Sequence, residues 1–266
     1  MSTATVGGID IEYDDRGTGD DVLVLVHGHP FDGSMWAPQI DAFSRQGWRV
    51  IVPDLRGYGR TTVVPGITTL DVFASDIAGL LDHLEVERFV AGGLSMGGQI
   101  VMEMYRLYGY RIRGLVLADT SPVAESAAGR VGRNALADRL LREGMKPYAD
   151  EVLPMMVAPS NIEADPELAE LVHAMMRSAP ADGAAAALRG RAERPDYVPV
   201  LAGVEVPTLV VVGADDEFTP VREAELIRDT VPGATLVVVA GAAHMPNLER
   251  AAEFNHAMRT FLEGVR

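Results

Sequence analysis

The chain has 266 residues, 48 % of them hydrophobic, and a formal charge of −15 from 23 basic and 38 acidic side chains. That length and apolar content give a globular chain, long enough for one α/β domain with an insertion, and the acidity argues against nucleic acid or an anionic membrane surface as a partner. There is no cysteine, which excludes disulfides, thiolate metal sites and a cysteine nucleophile.

The opening "MSTATVGGIDIEYDDRG" lacks the basic start and apolar core of a signal peptide, and no apolar run approaches the ~20 residues that span a bilayer. The expectation is a soluble cytoplasmic protein. Lys146 is the single lysine, a bias that points to a GC-rich bacterial genome. Residues 6–13 read as a strand pair turning at Gly7 and Gly8. Residues 22–26, "VLVLV", are continuously apolar, as expected of a strand buried on both faces. "HGHPFDGSMW" is a loop, 35–46 a helix, "WRVIVP" (48–53) a second buried strand and "DLRGYGR" a Gly-punctuated loop. Residues 69–84 make an amphipathic helix, with Val72, Ile77, Leu80, Leu81 and Leu84 apolar.

In "FVAGGLSMGGQIVM" (89–102) a β-type run closes at Val90 and Ala91, and a helix reads from 99 to 108. Ser95 stands where the strand turns straight into the helix. Gly93 and Gly97 remove Cβ atoms from a crowded turn. The serine projects from that turn in a strained conformation, and the first helical N–H groups point at the same spot, unpaired and favourable to negative charge. Gly-x-Ser-x-Gly between strand and helix is a nucleophile elbow; the plainer reading is a Gly-rich turn with an N-capping serine.

"GLVLAD" (114–119) is the next strand. Residues 122–198 then hold no convincing strand and read as helices broken by Pro147, Pro154, Pro159, Pro166 and Pro180. "ADGAAAALRGRAERPD" within them reads as an ordinary helix. Met145, Met155, Met156, Met175 and Met176 fall in this segment and suit either an adaptable pocket roof or plain core packing. Arg189, Arg191 and Arg194 read as a solvated face or local ion pairs. After Pro207 the alternation resumes, with strands at 208–213 and 235–240 and helices at 220–230 and 247–262. This pattern argues for a mostly parallel sheet with helices on both faces and an inserted helical cap. The core comprises 1–121 and 199–266, and the cap 122–198.

In a parallel sheet, active groups collect on loops at the carboxyl ends of strands. "VVVGADDEFTP" places Asp215 and Asp216 after one late strand, and "VVVAGAAHMPN" places His244 after the next. The order serine, aspartate, histidine is that of an α/β-hydrolase. The residue types fit the chemistry. An imidazole takes the proton of a weakly nucleophilic hydroxyl and returns it to the leaving group, while a carboxylate fixes the imidazole tautomer and stabilises its cation. Asp119, in "LVLADTSP", is a third carboxylate on a strand-end loop.

The motifs "HGHPFDGSMW", "PDLRGYGR", "GGLSMGG", "GADDEFTP" and "GAAHMPNLE" resemble the α/β-hydrolase superfamily over nearly the whole length. Within it the chain is similar to capped bacterial esterases and lactonases, including enol-lactonase-like and cofactor-free haloperoxidase-like members. The family pattern Gly-x-x-Asp-x-x-x-Pro aligns with Gly213, Asp216 and Pro220, which favours Asp216 as the acid. His27-Gly28-His29-Pro30 resembles the family's oxyanion loop. Pro30 has no N–H, so the implied donors are the backbone N–H groups of His29 and Met96. The His29 side chain either reads a polar substrate group or packs beside the loop. A His27-x-His29 metal site lacks a sensibly spaced third ligand, so neither metal nor cofactor is expected. Asp54, Arg56, Gly57 and Gly59 match "D-x-R-G-x-G", read as a tight turn with an Asp–Arg pair. Phe31 and Trp36 are candidates for the pocket entrance, and Met155 and Met156 for its roof.

The function implied is hydrolysis of a small or medium carboxylic ester or lactone through an acyl-serine intermediate at Ser95. Perhydrolysis, carbon–carbon bond hydrolysis or acyl transfer on the same triad, and a ligand-binding receptor module, are the alternatives. The partner is a small-molecule substrate, and the oligomeric state, a homo-oligomer included, stays open.

Overall fold

The computed structural model describes residues 1–265. Its strands are β1 (Ser2–Val6), β2 (Ile9–Arg16), β3 (Asp21–Val26), β4 (Trp48–Pro53), β5 (Phe89–Leu94), β6 (Ile112–Ala118), β7 (Thr208–Gly213) and β8 (Thr235–Val239). They form one sheet in the order β1-β2-β4-β3-β5-β6-β7-β8. Strands β3 to β8 pair in parallel, and the β1–β2 hairpin joins antiparallel through β2 and β4. Gly7 and Gly8, both at positive φ, make the hairpin turn as the sequence suggests.

The burial of each strand follows its composition. Every residue of β5 and β7 is buried, and β3 is buried after its first residue, so these Val/Leu/Gly runs carry helices on both faces. Strand β8 is equally Val-rich but lies at the sheet edge and stays half-exposed. Helices α1 (Ala37–Ser44), α2 (Leu70–His83) and α3 (Met96–Tyr108) precede β6. Between β6 and β7 come α4 (Ala127–Glu143), α5 (Met145–Met156), α6 (Pro159–Ala164), α7 (Pro166–Ser178), α8 (Ala181–Ala192) and α9 (Val198–Leu201). Helix α10 (Val221–Thr230) links β7 to β8, and α11 (Pro246–Glu249) and α12 (Ala251–Val265) close the chain. The last helical stretch, expected as one element, is broken at Arg250, whose φ of −136° and ψ of 54° are not helical.

Helix α4 packs along α8, and α5 along α7. Helix α8 is not an ordinary surface helix. A Cβ on Gly183 would stand 1.9 Å from the Gly57 carbonyl oxygen, and one on Gly190 would stand 1.7 Å from that of Thr68. These glycines, seven residues apart on one helical face, let α8 lie directly on the backbone of the core loops. The alanines between them are buried as well. No helix among the described residues is long and apolar enough to cross a membrane.

Candidate active site

Strand β5 ends at Leu94, and α3 begins at Met96, three residues earlier than its apolar periodicity indicates. Ser95 is the single residue between them, at φ 57° and ψ −117°. That left-handed backbone is costly for a residue with a Cβ, and strain of this kind gathers at functional sites. The crowding inferred from the glycines is present. A Cβ on Gly93 would fall 2.3 Å from the Gly97 carbonyl carbon, and one on Gly97 would fall 2.1 Å from the Val26 oxygen. The Ser95 N–H donates to the Ala118 oxygen (2.9 Å), and the Thr120 hydroxyl donates to the Ser95 oxygen (2.7 Å), which pins the turn from β6. Gly97→Ala is therefore expected to destabilise the fold by about 3 kcal/mol, because backbone must shift to admit the methyl group. A urea midpoint equal to wild type would contradict this packing.

His244 follows β8 and lies beside Asp216, which follows β7. His244 Nδ1 donates to Asp216 Oδ2 at 2.8 Å, so in the neutral ring the Nε2 lone pair is free. Asp216 also accepts the Phe218 N–H (2.8 Å), the Thr219 N–H (3.2 Å) and the Thr219 hydroxyl (2.6 Å). Burial by itself would raise its carboxyl, but the His244 charge and hydrogen bond, with the Thr219 bonds, outweigh it and hold the group at about 2. The other two candidate carboxylates do not bond His244. Asp215 is exposed. Asp119 is buried at φ 43°, accepts the Gly213 N–H through Oδ1 (2.9 Å), and sets its carboxyl against that of Asp216. Burial and the neighbouring Asp216 charge push the Asp119 carboxyl well up. The structure thus brings Ser95, His244 and Asp216 to one place. No hydrogen bond joins Ser95 Oγ to His244 in this resting arrangement, and such contacts are often long before substrate arrives.

The His29–Pro30 peptide is cis. Neither the His29 nor the Met96 backbone N–H is taken by a turn or loop carbonyl. The side chain of His27 is structural: Nδ1–H donates to the Gly28 oxygen and Nε2 accepts the Leu55 N–H, both at 2.9 Å. With both nitrogens engaged by backbone, His27 has no lone pair for a metal. The Asp–Arg pair expected in the loop after β4 does not form. Asp54 instead accepts the Gly33 and Arg60 N–H groups, and Arg56 makes a two-pronged bond to Asp76 on α2 at 2.6 and 2.7 Å.

Ser95, His29 and His244 line a cavity of about 510 Å³ together with Gln99, Phe218 and residues of α4, α5 and α8. Met155 and Met156 are in its wall. Phe31 and Trp36 are not, which corrects their assignment to the pocket. Trp36 is fully buried against Phe254 of α12, and Phe31 lines a separate cavity beside Asp54 and Met175. Of the three arginines read as a solvated face or local ion pairs, Arg189 pairs with Asp138 on α4 (2.7 Å) and Arg194 lies 3.7 Å from Glu125, but Arg191 and Arg194 are buried and line the active-site cavity.

Glu249 was missed from sequence. It is buried in α11, Oε1 accepts the N–H groups of Ala243 (2.8 Å) and Met245 (3.3 Å), and Oε2 accepts those of Ala158 (2.8 Å) and the Asn161 side chain (2.7 Å). One carboxylate thereby clamps both residues flanking His244 and ties them to the start of α6. Glu249 closes the motif "GAAHMPNLE" that carries the family resemblance, but nothing in the residue types around it marks a buried clamp rather than a surface charge. Glu249→Gln places an NH₂ against two of those donors. The expected result is a loss of about 1–3 kcal/mol in thermal stability and a fall in kcat larger than any rise in KM.

The alpha/beta hydrolase fold profile matches residues 21–251. The chain is 38 % identical to a thermophilic esterase from Thermogutta terrifontis, described with malate bound, whose structure superposes with a TM-score of 0.95 over 99 % of this chain and 98 % of that one. It is 28 % identical to 3-oxoadipate enol-lactonase 2 of Acinetobacter baylyi over 98 % of this chain and 96 % of the relative. It is 29 % identical to a 2-hydroxy-6-oxononadienedioate/2-hydroxy-6-oxononatrienedioate hydrolase of Burkholderia vietnamiensis over 95 % and 90 %. With the elbow, the strand-end pair and the sheet order in agreement, the chain belongs to the α/β-hydrolase fold family.

Proposed function

We propose that the protein is a serine hydrolase that cleaves a small or medium carboxylic ester or lactone. The observation that carries this reading is the 2.8 Å bond from Asp216 to His244, a residue that lines the same cavity as Ser95. His244 Nε2 takes the Ser95 proton as Oγ attacks the carbonyl carbon. The carbonyl oxygen gains negative charge between the His29 and Met96 N–H groups and the positive end of α3. The tetrahedral species collapses, and the imidazolium gives its proton to the leaving alkoxide. Water then repeats the sequence on the acyl-serine and frees the acid. The Asp216 carboxylate, anionic through the working pH range, stabilises the imidazolium in both halves.

A neutral fluorophosphonate should label Ser95, and ethyl and p-nitrophenyl esters should be turned over. Absence of both would contradict the reading. Carbon–carbon bond hydrolysis on the same residues is the second reading, supported by the Burkholderia vietnamiensis relative; a panel of simple esters, an enol-lactone and a β-diketone separates the two. Residues 122–198 act as a cap whose wall residues set substrate size. Met155→Ala should shift the ratio of kcat/KM between p-nitrophenyl octanoate and acetate by about tenfold toward the longer chain, whereas an unchanged ratio would show that Met155 does not meet the acyl group.

A further inference from the structure

Arg191 is a buried cation that no carboxylate pairs among the described residues. It is 8 % exposed, lines the active-site cavity, and donates through Nε to the Gln99 side-chain oxygen at 3.1 Å. Gln99 follows Ser95 by four residues, one turn along α3, so the guanidinium is anchored beside the candidate nucleophile. The carboxylates that line the same cavity are engaged elsewhere or stand off. Glu125 accepts from Arg133 and lies 3.7 Å from Arg194. Glu151 pairs with Arg139 at 2.8 Å. Glu223 accepts the Ser121 hydroxyl at 2.8 Å and faces Arg222 at 3.9 Å. Glu217 is exposed. Among the described residues Arg191 is the one cavity-lining arginine that no acid partners. Burial, then repulsion from Arg133 and Arg194, pushes its guanidinium well below the usual arginine range. An arrangement this unfavourable in isolation calls for an anion.

A second group points the same way. The His29 ring lines the cavity, its Nδ1 is 2.7 Å from the Tyr58 hydroxyl, and its Nε2 is buried without a partner. Burial, reinforced by the Arg191 and Arg133 charges, lowers its affinity for a second proton, so the ring is neutral. Tyr58 is fully buried, with His29 as its hydrogen-bonding partner. If Tyr58 donates to Nδ1, the ring's one proton sits on Nε2 and a single donor is left unmatched. The reverse tautomer would strand both the phenol hydrogen and the Nε2 lone pair. The first arrangement leaves one unmatched N–H, covered within a ring that lines the cavity and feels the guanidinium charge, for a ligand that settles against that wall.

We propose that Arg191, with His29 Nε2–H, forms a carboxylate-binding subsite, so that the preferred substrate is an ester whose acyl chain ends in a free carboxylate, such as a half-ester of a short dicarboxylic acid. This rests on Ser95 being the nucleophile. The carboxylate takes two N–H bonds from the guanidinium and one from His29, which fixes the chain and delivers the ester carbonyl to the elbow.

The test compares monoethyl glutarate with ethyl pentanoate, which has a methyl group where glutarate has its carboxylate, by ethanol release from wild type and Arg191→Gln. Wild type should favour the half-ester in kcat/KM by about ten- to a hundred-fold, and Arg191→Gln should lose that ratio. A wild-type preference for the neutral ester, or a ratio unchanged in the variant, overturns the subsite. If the variant does not fold, inhibition of wild type decides: glutarate should compete at concentrations where glutaramide does not, and equal potency overturns the proposal. Should neither ester be turned over, calorimetric titration with glutarate separates the two ideas. Glutarate binding to wild type but not to Arg191→Gln keeps the subsite while the Ser95 chemistry fails, and no binding to wild type overturns the subsite. Phosphonate labelling of Ser95 without anion preference overturns the subsite alone.

Discussion

Ser95→Ala is expected to lower kcat by about 10⁴-fold or more while the far-UV circular dichroism and the thermal midpoint stay at their wild-type values. The two outcomes separate because the serine does its structural work through the backbone. Its N–H and carbonyl oxygen hold the turn to Ala118 and Thr120, and alanine keeps both. The positive φ at this position costs alanine no more than it costs serine, since both carry a Cβ. The hydroxyl is what is lost, and with it the atom that forms the acyl bond. Residual turnover would come from the oxyanion donors acting on bound water, a far smaller contribution. Ester hydrolysis on progress curves, with burst analysis for the acyl-enzyme, measures the change. A variant that retains near-wild-type rates on every accepted ester would remove the covalent mechanism.

The elements that could be read from sequence are those whose cause is local. Ser95 was legible because glycines at 93 and 97 bracket a hydroxyl between an apolar run and a helix, the spacing that a crowded strand-to-helix turn requires. Asp216 and His244 were legible because each follows a Val-rich strand, and parallel strands bring their carboxyl ends to one edge. The β1–β2 turn was legible from two adjacent glycines. What escaped depends on contacts far apart in the chain. Arg191 reads as one charge among several in an Ala-rich helix. Only the approach of Gly183 and Gly190 to Gly57 and Thr68 turns that helix inward and makes its arginine part of the cavity. Arg56 reads as Asp54's partner because the two are adjacent in a motif, yet its acid lies on α2 at Asp76. Trp36 and Phe31 belong to the motif that carries the oxyanion loop, and their bulk is spent on packing. Glu249 clamps four donors, three of them backbone N–H groups, and backbone leaves no trace in residue identity.

Asp216→Asn should reduce kcat by about 10⁴-fold, far more than Asp119→Asn or Asp215→Asn. An asparagine amide at position 216 can donate to His244 Nδ1, which puts the ring proton on Nε2, where the serine proton has to go. The negative charge that stabilises the imidazolium is also lost. Asp119 differs in kind. Its carboxyl is driven toward the neutral form by burial and by the Asp216 charge, so an uncharged amide of the same shape replaces it closely. Its carbonyl oxygen still accepts the Gly213 N–H. Asp119→Asn should therefore stay within about tenfold of wild type, and Asp215→Asn, on the surface, closer still. A dead Asp119→Asn enzyme beside an active Asp216→Asn enzyme would reverse the assignment. Stability carries an independent signature of the same carboxylate. Asp216 sits at about 2 in the folded chain against ~3.9 unfolded. Its folded value is the lower one, so its contribution, about 2–3 kcal/mol, is complete above pH ~5, fades as pH falls, and is gone near pH ~1. Wild type should lose that increment between those two values in acid titrations of the urea midpoint, and Asp216→Asn, having no carboxylate there to protonate, should show a correspondingly shallower acid limb.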